Sequence, residues 1–257
     1  TPAEVISKHL ESIGTPDARA KVHGTRIRGA CTLVVKEGGN GQAQGRVLLS
    51  SEGNMNLLKM IFESEENPTW FKFDGSKASV SQFRPGRRNS LENFFASYEV
   101  IVKEGLLGGT LSEAWPLLKL EGKNPKLENA GLKQIGGKDL LALKYTPRKG
   151  SDLKITIFFE PDTFRHVRTE YSQTIYPSDQ QRIPVLAGRM PQDTNQRASN
   201  AHINAVEEFS DFKEEQGLSL PHTYKFQLSI QSDIRPALID WTIDLSDFFF
   251  SAPFDAA

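Results

Sequence analysis

The chain has 257 residues, 31 basic and 32 acidic, for a formal net charge of −1. That balance argues against a nucleic-acid binder, whose affinity needs a basic surface to displace counterions; the one local basic run, RPGRR at 84–88, reads as a solvated turn. A single cysteine, Cys31, excludes an intramolecular disulfide and a thiolate metal cage, and no apolar run approaches the ~20 residues of a spanning helix.

The chain is long enough to bury a sizeable core without staples. It opens TPAEVISKHLESIG, with Thr1 placed to cap a helix, Pro2 at its first turn and Gly14 to stop it. Val5, Ile6, Leu10 and Ile13 form one apolar stripe, so this helix packs across something. A short helical turn follows at 16–22. A beginning without methionine implies processing, with a removed export signal as the missing piece.

From Arg26 the period changes to two. Ile27, Cys31, Leu33 and Val35 share a face, which suits Cys31 to the part of a small buried hydrophobe. The cluster GGNG at 38–41 turns the chain back and lacks the Lys-Ser/Thr of a phosphate loop. Further strands read at 43–51, 54–63, 69–74 and 77–83.

The middle is helical. Ser90 can cap a segment in which Leu91, Phe94, Phe95, Tyr98 and Val102 fall on one stripe. Gly105, Gly108 and Gly109 break it and give its far end freedom to move. TLSE at 110–113 reads as the capping box of a second short helix carrying Trp115 and Leu118.

The last third returns to strands at 138–147, 152–160, 164–176, 203–213, 222–232 and 237–245. Tyr224, Phe226, Leu228 and Ile230 alternate with Thr223, Lys225, Gln227 and Ser229, giving one apolar and one polar face. The segment 177–200 is polar and reads as a long loop, mobile without ligand. The fold class is therefore mainly β with a few helices: one domain over 1–257, a single curved antiparallel sheet of about ten strands forming an incomplete half-barrel. The helices plug its apolar concave face.

The stretch FSDFKEEQGLSLPHTYKF, through Phe209, Asp211, Phe212, Gly217, Leu218, Leu220 and Pro221, resembles the strand–turn–strand signature of the LolA/LolB-like superfamily, the bacterial outer-membrane lipoprotein-sorting proteins and their relatives. The turn at Asp162-Thr163 and the tail through Phe250, Pro253 and Phe254 agree with it. The resemblance covers 130–257 well and the first half in layout. It implies a periplasmic half-barrel whose cavity takes acyl chains. The lipoprotein carrier has an arginine in an N-terminal strand; this chain reads Ser51-Glu52 there, which fits a divergent relative with its own ligand.

Catalytic chemistry is not legible. There is no G-x-S-x-G, H-E-x-x-H or Walker sequence, and the five histidines lack ligand spacing. His166 and Arg168 read as partners on one strand face, and His222 as the end of a turn. Glu207 and Glu208 point to opposite faces, and Asp244 with Asp247 reads as a solvated strand end. No cofactor or metal is implied. The expectation is a non-enzymatic periplasmic carrier or binding protein for a lipid, acyl chain or lipidated polypeptide. Trp70, Phe94, Phe95, Tyr98, Val102 and Trp115 would line its apolar cavity. The alternative is an envelope protein-interaction or sensor module with a filled interior and a membrane-associated protein partner.

Overall fold

Alternating apolar residues form most of the strands of the computed structural model, which describes residues 1–39, 41–62, 68–82, 86–120, 122–180, 199–233 and 236–254. Helix α1 (Pro2–Ile13) starts on a full capping box between Thr1 and Glu4, with Pro2 at its first turn, and α2 (Pro16–Ala20) follows. Strands β1 (Thr25–Glu37), β2 (Gly41–Glu52), β3 (Met55–Ile61), β4 (Thr69–Phe73) and β5 (Ala78–Val80) make a first meander. Helices α3 (Ser90–Ser97) and α4 (Val100–Lys103) and a single 3-10 turn, Gly109–Leu111, lead to the second meander. That meander comprises β6 (Lys126–Ile135), β7 (Lys138–Thr146), β8 (Lys154–Phe159), β9 (His166–Ile175), β10 (Ala201–Glu215), β11 (Leu218–Gln231) and β12 (Ala237–Phe250), with the helical turn α5 (Pro177–Gln180) after β9.

All pairings are antiparallel, and the spatial order is β5-β4-β3-β2-β1-β12-β11-β10-β9-β8-β7-β6. The sheet thus has twelve strands rather than about ten. The first and last strands pair at its centre, and the two wings run outward from that pair. Since β5 ends one wing and β6 the other, the connection between them must cross the whole sheet. Residues 89–120 make that crossing, and their apolar side chains cover one face.

The sheet is strongly curled. Three strands, β3, β2 and β1, separate β4 from β12, which would put them about 19 Å apart in a flat sheet. Yet the rings of Phe71 in β4 and Trp241 in β12 stack at 6.0 Å. The main apolar cluster gathers on that inner face, with Phe71, Phe94, Phe95, Phe226 and Trp241 all essentially inaccessible to solvent. The expected alternation in β11 holds: Tyr224, Phe226, Leu228 and Ile230 are buried, while Lys225 and Gln227 are exposed.

Several expectations need correction. Strand β6 was not expected, because KLENAGLKQI has no clean alternation: as a sheet edge it is mostly exposed on both faces and carries an irregularity between Asn129 and Gly131. The stripe from Leu91 to Val102 is not one helix. Asn89, not Ser90, caps α3 in a capping box with Glu92, and α3 ends at Tyr98 before α4 begins. TLSE opens no second helix; it holds the end of the 3-10 turn and leads into irregular backbone.

His222 lies within β11 rather than ending a turn. There Pro221 pairs with Phe212, and the register is the same on both sides of Asp211, whose φ is 55°. His166 is buried and Arg168 is not. Arg168 pairs outward with Glu170 and Glu208, so the two are not partners on one face. The expected long loop opens with the helical turn α5. The rest of it, 181–198, lies outside the described residues, as do Arg84 and Pro85 of the basic run.

Candidate ligand cleft

Of the six residues expected to line a cavity, five are core. Phe94 and Phe95 touch each other at 5.1 Å, Phe95 lies 4.0 Å from Phe71, and both approach Phe226. Tyr98 packs on Phe94, and Val102 is fully buried. Trp115 belongs to a separate polar–aromatic group described below. Trp70 is on the other face: its neighbour Phe71 points inward, and the Trp70 ring lies under the Lys72 ammonium at 5.6 Å. The alternation in TWFKF selects Phe71 as the inward residue. Five of the six side chains thus pack as core, and a cavity of about 250 Å³ beside them is lined by Leu91 of the same stripe with Met60 and Trp241.

The crossing segment is pinned by polar contacts that sequence reasoning missed. In β10, Ile203, Ala205, Glu207 and Phe209 share the inward parity, so a carboxylate sits where an apolar residue is expected. Glu207 Oε1 accepts the N–H of Gly108 at 2.8 Å and the hydroxyl of Tyr224 at 2.7 Å, and Oε2 accepts the hydroxyl of Tyr171 at 2.5 Å. Burial pushes its carboxyl up to about 7, against the downward pull of those hydrogen bonds. Glu208, on the outer face, is exposed, as the spacing required. The misplaced parity of Glu207 was the readable signal.

A second group ties α1 to the crossing segment. The Trp115 indole donates to His9 Nε2 at 3.1 Å, while His9 Nδ1 lies 3.0 Å from the carbonyl oxygen of Phe164. An indole N–H only donates and a carbonyl only accepts, so His9 is neutral with its proton on Nδ1. Burial holds its pKa down at about 4. His166 stacks on Trp115 at 4.6 Å and bonds Thr169 through Nε2 at 2.7 Å. Asn56 donates to the Val102 carbonyl at 3.0 Å, and Tyr145 to the Glu104 carboxylate at 2.6 Å. Most of these groups satisfy each other, but His166 Nδ1 is buried without a hydrogen-bond partner among the described residues. Among the described residues no cluster of three or more His, Cys, Asp or Glu could hold a metal ion.

A second apolar space lies at one end of the sheet. Helices α1 and α2 stand over the start of β1, the start of β11 and the end of β12, and residues 110–119 close the inner side. Between them is an apolar cleft of about 290 Å³, at the small end of the range for ligand sites. Leu10, Ile13, Ile27, Leu218, Leu220 and Phe250 wall it. Three of these, Leu218, Leu220 and Phe250, fall in the stretches that carried the family resemblance. The turn before Leu218 explains the wall: Gln216 and Gly217 are both left-handed (φ 52° and 84°), and Gly14 bridges Leu218, which sets the end of α1 against β11. Arg19, Lys119 and Glu113 are the charged residues of the lining.

One open antiparallel sheet, curled around a helical crossing segment and with an apolar cleft at one end, defines a class of fold with space for an apolar ligand. A protein of the LolA superfamily shares this fold. A LolA superfamily protein from Nitrosomonas europaea superposes with a TM-score of 0.52 at 12% identity, over 98% of this chain and 94% of the other. A DUF1329 family protein from Desulfovibrio piger gives 0.43 at 12% identity over 98% and 94%. An outer-membrane lipoprotein-sorting protein domain from Vibrio parahaemolyticus gives 0.43 at 12% over 98% and 95%. No protein-family model and no curated protein matches the chain.

Proposed function

We propose that the chain is a non-enzymatic binding protein of the bacterial periplasm that holds the acyl chain of a lipid or lipidated polypeptide in the cleft between α1, α2 and the sheet end. The crossing segment plugs the concave face of the half-barrel, so the ligand lies beside the plug and not beneath Phe94 and Phe95. The observation that carries this reading is the apolar wall of the cleft, built by three secondary-structure layers and open where Pro16 and Lys119 reach solvent. Each buried methylene contributes roughly 0.8 kcal/mol, so eight of them supply at most about 6 kcal/mol before ordering costs. That suits a carrier, which must also release.

Mass spectrometry of protein purified without detergent, combined with displacement of an apolar fluorescent probe, tests the proposal. Ala20 lines the cleft and is exposed, so Ala20→Trp should block probe binding while leaving the melting temperature unchanged. Probe binding that survives Ala20→Trp would remove the cleft from consideration.

The second reading, a protein-interaction or sensor module, is favoured by one observation: the interior around Phe94, Phe95 and Phe226 is filled. Absence of any bound lipid, with no probe binding by the parent protein, would select it.

A further inference from the structure

The cleft wall is apolar except at a few places, and those places are not equivalent. Arg19 on α2 and Lys119 after the crossing segment both line it. Among the described residues neither has an ion-pair partner, although Arg19 is half-buried. The one carboxylate of the lining, Glu113, is already engaged: its two oxygens accept the main-chain N–H groups of Gly24 and Gly53. Thr25 bonds Ser51 at 2.6 Å, and the Ser112 hydroxyl accepts the Ala114 N–H at 3.2 Å. The Thr110 Oγ1 is inaccessible to solvent and has no hydrogen-bond partner among the described residues, so it is sealed behind the wall and does not face the open cleft.

Two cations without ion-pair partners beside an apolar wall favour a negative charge on a ligand that lies there. We propose that the occupant of this cleft is a single-chain acyl lipid with an anionic head. Its chain lies on Leu218 and Leu220, and its head pairs with Arg19 and Lys119. The inference rests on the reading of the cleft as an acyl site and adds the chemistry that selects the ligand.

The experiment compares two probes below their micellar concentrations: myristoyl lysophosphatidylglycerol, which carries a phosphate, and uncharged monomyristoylglycerol. The parent protein should bind the anionic probe about tenfold tighter at low salt, with the preference fading as salt screens it. The double variant Arg19→Gln/Lys119→Gln should bind both probes equally. Thermal melting confirms that the variant is folded. Equal binding of the two probes by the parent, or a preference that survives the double variant, overturns the selection of an anionic head and leaves the acyl site standing. No binding of either probe by a folded parent overturns both.

Discussion

The Glu207 carboxylate accepts the main-chain N–H of Gly108 at 2.8 Å, joining the inner face of β10 to the crossing segment. Two tyrosine hydroxyls complete its bonding, so one buried side chain fixes three elements. Replacing it with Leu strands three buried donors. Glu207→Leu should cost at least about 3 kcal/mol. Glu207→Gln, which keeps one acceptor and lets the Tyr171 hydroxyl accept in turn, should cost about 1 kcal/mol. Denaturant unfolding at neutral pH measures both, and equal costs would show that the hydrogen bonds contribute little.

The same residue has a pH signature. With its pKa raised to about 7 in the fold from an ordinary 4.5, Glu207 holds a proton that the unfolded chain has already lost between those values. Its contribution is fully present below 4.5 and is lost as pH rises to 7. His9, held at about 4 by burial, and His166, held well below 6.5, act in the opposite sense. Both stay neutral in the fold while the unfolded chain protonates, so their contribution is lost as pH falls below 6.5. Two groups outweigh one, and stability should fall on acidification between about pH 6.5 and 5, by roughly 1 kcal/mol per pH unit. In Glu207→Gln the opposing group is gone, and the slope should roughly double. Unfolding titrations across that range check it; identical slopes would mean that Glu207 does not titrate there.

Phe95 and Trp70 separate interior from surface. Phe95 is fully buried against Phe71 and Phe226, so Phe95→Leu should cost about 1–3 kcal/mol through lost packing. It does not line the cleft, and apolar-probe affinity should be unchanged. Trp70→Ala, on the outer face, should cost about 1 kcal/mol or less. A change in probe affinity on Phe95→Leu at constant stability would return the ligand to the centre of the half-barrel.

Much of this architecture was legible because alternation is a strong signal wherever one strand face is buried. Tyr224, Phe226, Leu228 and Ile230 announced β11, and Thr1, Pro2 and Gly14 announced α1. The edge strand β6 was invisible for the converse reason: with both faces wet, nothing imposes a period on KLENAGLKQI. The site was harder. An aromatic stripe looks the same whether it lines a cavity or fills one, and only the curl of the sheet, which brings Phe71 to Trp241, decides for Phe94 and Phe95. The cleft is assembled from residues far apart in the chain, such as Leu10, Leu118 and Leu220. No local pattern marks such a meeting.

The glycines after α4 give the last prediction. Read as sequence, Gly105, Gly108 and Gly109 give the far end of the helix freedom to move. In the fold they are positions of close approach. A Cβ on Gly105 would lie 2.1 Å from the Ala114 carbonyl oxygen, and one on Gly109 would lie 2.7 Å from the His166 ring, with φ at 71° and 52°. Lys123 reinforces the first of these turns by donating to the carbonyls of Glu104 and Ala114 at 2.6 and 2.8 Å. A hinge glycine tolerates alanine with a small stability change and altered binding kinetics. A packed glycine with positive φ does not, because backbone strain and overlap both act on the folded state. Gly105→Ala should therefore destabilise by about 2–4 kcal/mol, and Gly109→Ala by somewhat less because the His166 ring can tilt. Thermal unfolding and stopped-flow probe binding on the same variants decide the matter. Unchanged stability with faster or slower probe association would establish that the crossing segment moves.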